Sequence, residues 1–355
     1  MGAAMLAIIM PLSYTGYKRS HIIMKRNLII GGIWGMLCVV TSCGDSSREI
    51  GNAVVMEKPE FPEAVSPSDS VIELNSIMNI AEWGIDNDKI ICRSEQSDNI
   101  FYYLDPETLC TIDSAYTKGE GPDEFIIPRL LKSSRKRAIS ADLAKGEFKG
   151  ISLRDSYDTY SANSLNGFIN SPVDIRYPLI GYTKLDGNAR KWMIYDLEKK
   201  ESVDSVVYDQ DDAASIPSLD FSAASNGENS VIACHMMDEL SILRHDEYGK
   251  IKSQTILKGN GAVSPMQPYY VDVACGSNAF YVLSMSHMKF ADNINPEGFS
   301  CIEVYDYDGN AKSLLKLNFF PAKILLDEDR ERMMILSATD DSIHIIELSE
   351  LTFNS

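Results

Sequence analysis

One short pattern recurs six times along the chain, and it constrains the fold more than any other feature. It is an apolar run that ends in an acidic residue, and the acidic ends are spaced by 50, 41, 50, 60 and 41 residues. The six copies are Phe101–Asp105, Ile151–Asp155, Trp192–Asp196, Leu240–Asp246, Ile302–Asp306 and Ile343–Glu347. A second β-branched or aromatic run precedes each copy, as in paired antiparallel strands. The pattern predicts an all-β fold, a six-bladed β-propeller of four-stranded antiparallel blades.

The two ends of the repeat region predict how such a ring closes. Only seven residues follow the last repeat strand, Ile343–Leu348, which leaves little room for another outer strand. A short strand-like run, Val71–Leu74, precedes the first blade. A propeller whose first and last blades do not join exposes two strand edges, and exposed edges promote aggregation. We therefore expect residues near 71–75 to supply the outer strand of the sixth blade, in a propeller domain that spans 71–355.

The N-terminus has the residue order of a bacterial export signal. Lys25 and Arg26 precede an apolar run over 28–40, which is shorter than the roughly 20 residues of a spanning helix. The ending Val40–Cys43 resembles the lipobox of bacterial lipoproteins, in which the cysteine is acylated and becomes the mature N-terminus. This resemblance implies a lipid anchor on Cys43 and a place in the cell envelope, on the periplasmic or the surface face. An uncleaved signal anchor is the alternative.

These features divide the N-terminal region into three parts. Residues 24–42 are the predicted signal peptide, and residues 1–23 lie upstream of the expected true start, because a signal peptide does not need their second apolar stretch. Residues 43–70 are predicted to be the lipidated cysteine and a flexible tether, since prolines interrupt a segment without sustained periodicity.

The segment after the first blade carries a motif that resembles one seen in a known group of propellers. Lys118–Phe125 is similar to the G-x-G-P-x-E-F turn of the TolB-like six-bladed β-propeller lipoproteins of Bacteroides and relatives. The matching positions are Gly119, Gly121, Pro122, Glu124 and Phe125. The resemblance covers about residues 24–350 and implies the propeller fold and export, but no catalytic residues. A second copy, Lys258–Gly261, lacks the Pro-x-Glu-Phe continuation.

The charge of the chain argues against one class of partner. The sequence contains 33 Lys and Arg against 51 Asp and Glu, a net charge of −18. Four of the basic residues and none of the acidic ones lie in the first 42 residues, so the remainder has a net charge of −22. A surface this acidic repels phosphate backbones, so we expect no nucleic-acid partner.

The sequence holds no established catalytic or metal-binding motif. HExxH, GxSxG, Walker and GxGxxG motifs are absent, and no two cysteines have CxxC spacing. Asp306, Asp308 and Asn310 fit a hairpin turn better than a calcium loop, because no loop-closing glutamate follows at the required position. Carboxylate pairs such as Asp211-Asp212 are interpreted as solvated loops, although a pair facing a channel could serve glycoside hydrolysis. We expect no cofactor and no metal.

One connection departs from the blade pattern. Residues 286–299 lie between the second and third strands of the fifth blade, where the other blades have only about five to eight residues. Binding residues tend to lie on such loops of a rigid scaffold. The candidate ligand-binding residues are His287, Phe290, Asp292, Asn293 and Asn295. A tolerated insertion explains the extra length equally well.

Four Asp-Ser pairs are each followed by an apolar residue, and this triplet resembles the O-glycosylation acceptor of exported Bacteroides proteins. The candidate acceptors are Ser70, Ser114, Ser205 and Ser342. The same triplet also describes a turn that enters a strand, so both interpretations stay open.

The scaffold without catalytic motifs predicts a non-catalytic binding module for a glycan, a peptide or an envelope protein. One alternative is a hydrolase or lyase that acts on polysaccharide through loop carboxylates or histidine. Another is a structural subunit of an envelope complex.

Overall fold

Short strands joined by tight turns make up almost all of the described part of the protein. The computed structural model describes residues 53–351 apart from 75–78, 96–98, 123, 134–137, 152–158, 162–168, 187–188, 209–220, 236, 260–268, 286–298 and 341. Two 3-10 helices of three residues each, Glu328–Arg330 and Leu348–Glu350, accompany the strands. Within these described residues, no helix is long and apolar enough to cross a membrane.

Two strands precede the blades, and the first three blades then follow in chain order. The preceding strands are β1 (Val54–Glu57) and β2 (Ser70–Glu73). Blade 1 contains β3 (Ile80–Asp86), β4 (Lys89–Ser94), β5 (Asn99–Leu104), β6 (Thr111–Lys118) and the short β7 (Glu124–Phe125). Blade 2 contains β8 (Pro128–Leu130), β9 (Ala138–Asp142), β10 (Glu147–Ile151) and β11 (Thr159–Ser161). Blade 3 contains β12 (Ile169–Arg176), β13 (Leu179–Asp186), β14 (Ala189–Asp196) and β15 (Glu201–Tyr208).

The other three blades repeat this arrangement. Blade 4 contains β16 (Phe221–Ser225), β17 (Asn229–Cys234), β18 (Glu239–His245) and β19 (Ile251–Lys258). Blade 5 contains β20 (Tyr270–Cys275), β21 (Ala279–Ser284), β22 (Ser300–Asp306) and β23 (Ala311–Leu317). Blade 6 contains β24 (Pro321–Asp327), β25 (Arg332–Ser337) and β26 (Ser342–Glu347), with β2 beside β26. The predicted all-β, six-bladed propeller is confirmed, and the recurring strand pair forms the second and third strands of five blades. In blade 2 the third strand is Glu147–Ile151, so the predicted copy Ile151–Asp155 begins where that strand ends, and residues 152–158 lie outside the described residues.

In blades 1, 3, 4 and 5 the recurring acidic residue caps the turn between the third and fourth strands. Asp306 Oδ1 accepts the backbone N–H groups of Asp308 and Asn310 at 3.0 and 2.9 Å. Gly309 adopts a φ of 89°, a conformation that favours glycine. Asp246 makes the matching pair of bonds in blade 4. The acidic end of the repeat therefore marks a hairpin turn, in which the carboxylate binds the chain's own backbone.

The hydrophobic core is divided into six clusters, one at each junction between neighbouring blades. At the junction of the last and first blades, Trp83 and Cys92 of blade 1 pack with Leu325 and Met334 of blade 6. Burial of apolar surface is worth about 25 cal/mol per Å², so every junction stabilises the ring. Each blade thus depends on its two neighbours.

The N-terminal segment lies along the rim of blades 4, 5 and 6. β1 pairs in parallel with β19, Val65 bridges to Leu315 of blade 5, and β2 pairs antiparallel with β26. The sequence predicts a flexible tether over 43–70. Within that segment, residues 54–58, 65 and 70 have backbone partners on the blades. We call residues 54–74 the strap.

A buried lysine fixes the strap to the junction of blades 4 and 5. Lys58 Nζ donates to Asp238 Oδ1 at 3.0 Å, to Tyr270 Oη at 2.9 Å and to Glu303 Oε1 at 3.0 Å. The Glu303 side chain is fully buried, and its second oxygen accepts the hydroxyl of Tyr305. Burial alone would lower the pKa of Lys58, but Glu303 and Asp238 outweigh it, so the pKa is raised. The amine is therefore charged and balances two carboxylates.

Candidate functional site

A cavity of about 470 Å³ opens at the centre of the ring. It is lined by the first strands of all six blades, near the ends at which these strands begin. The lining residues are Ala81, Glu82, Trp83, Arg93, Glu95, Arg129, Leu130, Lys132, Ser171, Pro172, Phe221, Ser222, Ala223, His235, Asp272 and Lys323. Ligand sites in proteins commonly have volumes of about 300–1,000 Å³, so this one has room for a small ligand or the end of a chain.

An ion pair between opposite blades crosses the cavity. Lys132, which follows β8 of blade 2, donates to Asp272 Oδ1 of blade 5 at 2.6 Å. The other carboxylate oxygen of Asp272 accepts the backbone N–H of Ile324 at 3.0 Å. Burial opposes ionisation of Asp272, but Lys132 and Lys323 outweigh it, and the pKa of Asp272 is lowered. Asp272 is thus an ionised carboxylate whose two oxygens are both bound within the protein.

A second charged group lies on the wall formed by blades 1 and 2. Glu82 accepts hydrogen bonds from Arg93, from Arg129 Nη1 at 3.2 Å and from the backbone N–H of Leu130 at 3.2 Å. Arg93 also reaches Glu95 at 3.3 Å. The bonds from Arg93 on β4 lie within blade 1, whereas the bond from Arg129 on β8 joins blade 2 to blade 1, so this group fixes the shape of the wall.

Blade 4 contributes a histidine whose hydrogen bonds do not suit nucleophilic catalysis. His235 Nε2 lies 2.8 Å from Ser222 Oγ, and Ser222 Oγ donates its one proton to the carbonyl oxygen of Val271 at 3.0 Å. A serine hydroxyl has one proton, so the bond to Val271 competes with donation of that proton to His235. A general base must accept the serine proton. The bond to the carbonyl oxygen therefore favours a role of the pair in orienting the cavity wall.

Asp272 does not suit the role of the general acid in a glycoside hydrolase. Such an enzyme needs one carboxyl group that stays protonated, and that requires a raised pKa. Asp272 has a lowered pKa and an ion pair to Lys132. Across the described part of the chain, no group of three or more His, Cys, Asp or Glu could hold a metal ion.

A serine, a histidine and an aspartate also meet at the rim of blade 6. His344 Nδ1 lies 2.5 Å from Asp69 Oδ2, and its Nε2 lies 3.3 Å from Ser342 Oγ. Ser342 is only 3% exposed, and its hydroxyl donates to Asp340 at 2.7 Å. The histidine ring stacks on Phe319. Because the serine is buried and its proton is already committed, the group ties the strap to blade 6 and is not a catalytic triad.

The family turn motif has a structural role. Glu124 folds back so that its carboxylate accepts the N–H of Gly121 at 2.8 Å, and a side chain at position 119 would overlap this carboxylate. Phe125 is fully buried and packs edge-on against Phe101 at 5.5 Å. Lys149 Nζ donates to the carbonyl oxygen of Pro122 at 2.5 Å. The motif builds the connection between blades 1 and 2.

The remaining predicted site residues are partly outside the described residues. Cys43 and the blade-5 candidates His287, Phe290, Asp292, Asn293 and Asn295 lie outside the described residues. Of the O-glycosylation candidates, Ser70 is exposed, and Ser114 and Ser205 are partly exposed. Ser342 is buried, with its hydroxyl between Asp340 and His344. Modification of these serines stays a prediction.

The charged residues of the cavity were not predicted from the sequence, although two of them, Asp272 and Lys323, leave a weak signal. Asp272 interrupts the apolar run of β20, and Lys323 interrupts that of β24. A first strand of a blade lines the channel, so a charged residue near its start points into that channel. Such residues can be identified as channel-lining only after the first strand of each blade has been assigned.

The fold and this cavity define the class of protein: a six-bladed β-propeller with a charged, ligand-sized cavity in its channel. No protein-family model matches the sequence, and no curated protein matches it. Membership of the TolB-like group therefore stays a prediction.

Solved structures are similar in fold. A member of the DUF4221 family from Bacteroides vulgatus is 12% identical, with a TM-score of 0.52 over 80% of this chain and 97% of that one. A Bacteroides fragilis protein described as exported is 11% identical, with a TM-score of 0.51 over 83% of this chain and 98% of that one. At these identities the likeness concerns the fold alone.

Proposed function

We propose that the protein is an exported, lipid-anchored propeller that acts as a non-catalytic binding module, with its ligand in the central cavity. The observation that carries this proposal is the cavity itself, to which all six first strands contribute. A site built on strands of a rigid ring is preorganised, so little binding energy is lost to ordering it. The volume favours a glycan unit or a peptide end over a folded partner.

Hydrogen bonding in the cavity supports binding over catalysis. The buried carboxylates are held by lysine, arginine and backbone donors, and Ser222 gives its proton to a carbonyl oxygen. A polysaccharide hydrolase or lyase would need a free acid or base at this position. A structural role in an envelope complex would not require a cavity and finds no specific support.

Filling the cavity tests this proposal. Ala81 lines the cavity on β3 and is partly exposed, so Ala81→Trp places an indole in the open space. We expect this variant to lose binding to any glycan or peptide that the parent captures on an array, with an unchanged melting temperature. Ser253→Trp, on the exposed outer strand of blade 4, is the matched control and should bind as the parent does. Retained binding by Ala81→Trp would move the site elsewhere, first to residues 287–298.

The lipid anchor has a separate test. Cys43→Ala removes the thiol that the lipobox resemblance assigns to acylation, so we expect unprocessed precursor or soluble protein instead of a membrane-bound form. The measurement is membrane fractionation together with labelling by a clickable fatty acid. Unaltered fractionation of the variant, combined with globomycin-insensitive processing of the parent, would contradict the anchor.

A further inference from the structure

The cavity reverses the charge of the protein around it. The chain after residue 42 has a net charge of −22, yet four cationic side chains line the cavity against three carboxylates. The cations are Arg93, Arg129, Lys132 and Lys323, and the carboxylates are Glu82, Glu95 and Asp272. The cavity therefore has a formal surplus of one positive charge in a domain that is otherwise acidic.

The more buried carboxylates have no capacity left for a cationic ligand. Both oxygens of Asp272 are taken, one by Lys132 and one by the backbone of Ile324. Both oxygens of Glu82 are likewise bound, by two arginines and a backbone N–H. A cationic guest would have to break these bonds, whereas an anion would not.

Among the described residues, no ion pair is formed by one of the two cavity lysines. Lys323, on β24 of blade 6, lines the cavity, and among the described residues no carboxylate lies within 4.0 Å of its amine. It nevertheless acts electrostatically on both members of the Lys132–Asp272 ion pair: it helps to lower the pKa of Asp272, and it adds to the burial that lowers the pKa of Lys132. Like charges held together in a partly desolvated site are unfavourable, and an anion between them relieves the repulsion.

We infer that the ligand of the cavity carries a carboxylate, which binds to Lys323 with Lys132 and Arg129 beside it. The inference rests on the proposed function and names its ligand class. A lysine amine has three donors, and Lys132 uses one of them on Asp272. Arg129 is 39% exposed and keeps donors beyond those on Glu82. The carboxylate can come from an acidic sugar or from the end of a peptide.

The experiment compares free with masked carboxylates on the full mature protein. The probes are a galacturonic acid trisaccharide and its methyl ester, and trialanine and its C-terminal amide. Trp83 lines the cavity and, with Trp192, is one of two tryptophans after residue 42, so fluorescence titration reports occupancy. We expect at least one free acid to bind about tenfold more tightly than its masked form, as for a charge-assisted hydrogen bond. The pair that shows this difference identifies the source of the carboxylate.

Variants of Lys323 assign the contact. Lys323→Gln should weaken binding of the free acid about tenfold and leave the masked probe unchanged, whereas Lys323→Arg retains binding. Lys252→Gln, an exposed lysine on the rim of blade 4, is the matched control. Melting temperatures of all variants show whether each one is folded.

Three results would overturn the inference and remain distinguishable from failure of the proposed function. If the free and masked probes bind equally and Ala81→Trp abolishes the binding of both, the cavity binds a ligand but does not recognise its carboxylate. If Lys323→Gln does not weaken binding of the free acid, Lys323 is not the residue that binds the carboxylate. Absence of saturable binding by all four probes would also reject the carboxylate, and the array test of Ala81→Trp would then decide whether the cavity binds another ligand.

Discussion

Replacing Lys58 by methionine is expected to lower the free energy of unfolding by about 3–5 kcal/mol, because removing one member of a buried ion pair leaves the other uncompensated. Methionine keeps the apolar stem of the side chain but removes the charge. The variant would leave Glu303, which is fully buried, and Asp238, which is 11% exposed, without their cation. The measurement is denaturant unfolding, with the midpoint shifted at a constant slope.

Two further variants separate charge from packing. Lys58→Met combined with Glu303→Gln should recover a large part of the loss, because the amide still accepts the Tyr305 hydroxyl and carries no charge. Lys252→Met removes an ion pair to Asp246 from a side chain that is 63% exposed, and should cost less than about 1 kcal/mol. A loss in Lys58→Met no larger than in Lys252→Met would show that the strap is not held by this buried lysine.

The sequence was sufficient for the blades because their signals are local. An apolar run, an acidic cap and a glycine turn lie within about ten residues of one another, as in Ile302–Asn310. The residues that determine each strand and turn are close together in the sequence, and counting the copies gives the number of blades. The turn motif at Gly119 and Glu124 is local in the same way, since its carboxylate bonds three residues back.

The strap and the cavity could not be predicted because their partners are distant in sequence. Lys58 meets Asp238 and Glu303 across 180 and 245 residues. Lys132 meets Asp272 across 140 residues, in the opposite blade. The sequence around each of these charged residues suggests a solvent-exposed side chain. The side chain becomes buried or faces the channel only because distant blades meet in the ring. Proline-rich residues 59–67 therefore suggest a tether although they lie along the rim.

Deleting residues 71–76 is expected to destabilise the whole domain by about 3–5 kcal/mol and to promote aggregation. β2 pairs with β26 over four residues, from Ser70 opposite Ile345 to Glu73 opposite Ser342. Ile72 and Leu74 pack on the cluster that joins blades 6 and 1. The deletion removes this packing and exposes the edge of β26 to other chains. The measurements are the melting temperature and light scattering of parent and variant.

A pair of single substitutions tests whether β2 acts as the closing strand of blade 6. Ile72 is partly buried against the cluster between blades 6 and 1, whereas its neighbour Val71 is 54% exposed on the other face of the strand. Ile72→Asp should destabilise the domain by about 1–3 kcal/mol, because it places a charge against apolar side chains. Val71→Asp should change stability by less than about 0.5 kcal/mol. Equal effects of the two substitutions, or a 71–76 deletion that melts like the parent, would show that the ring does not depend on this strand.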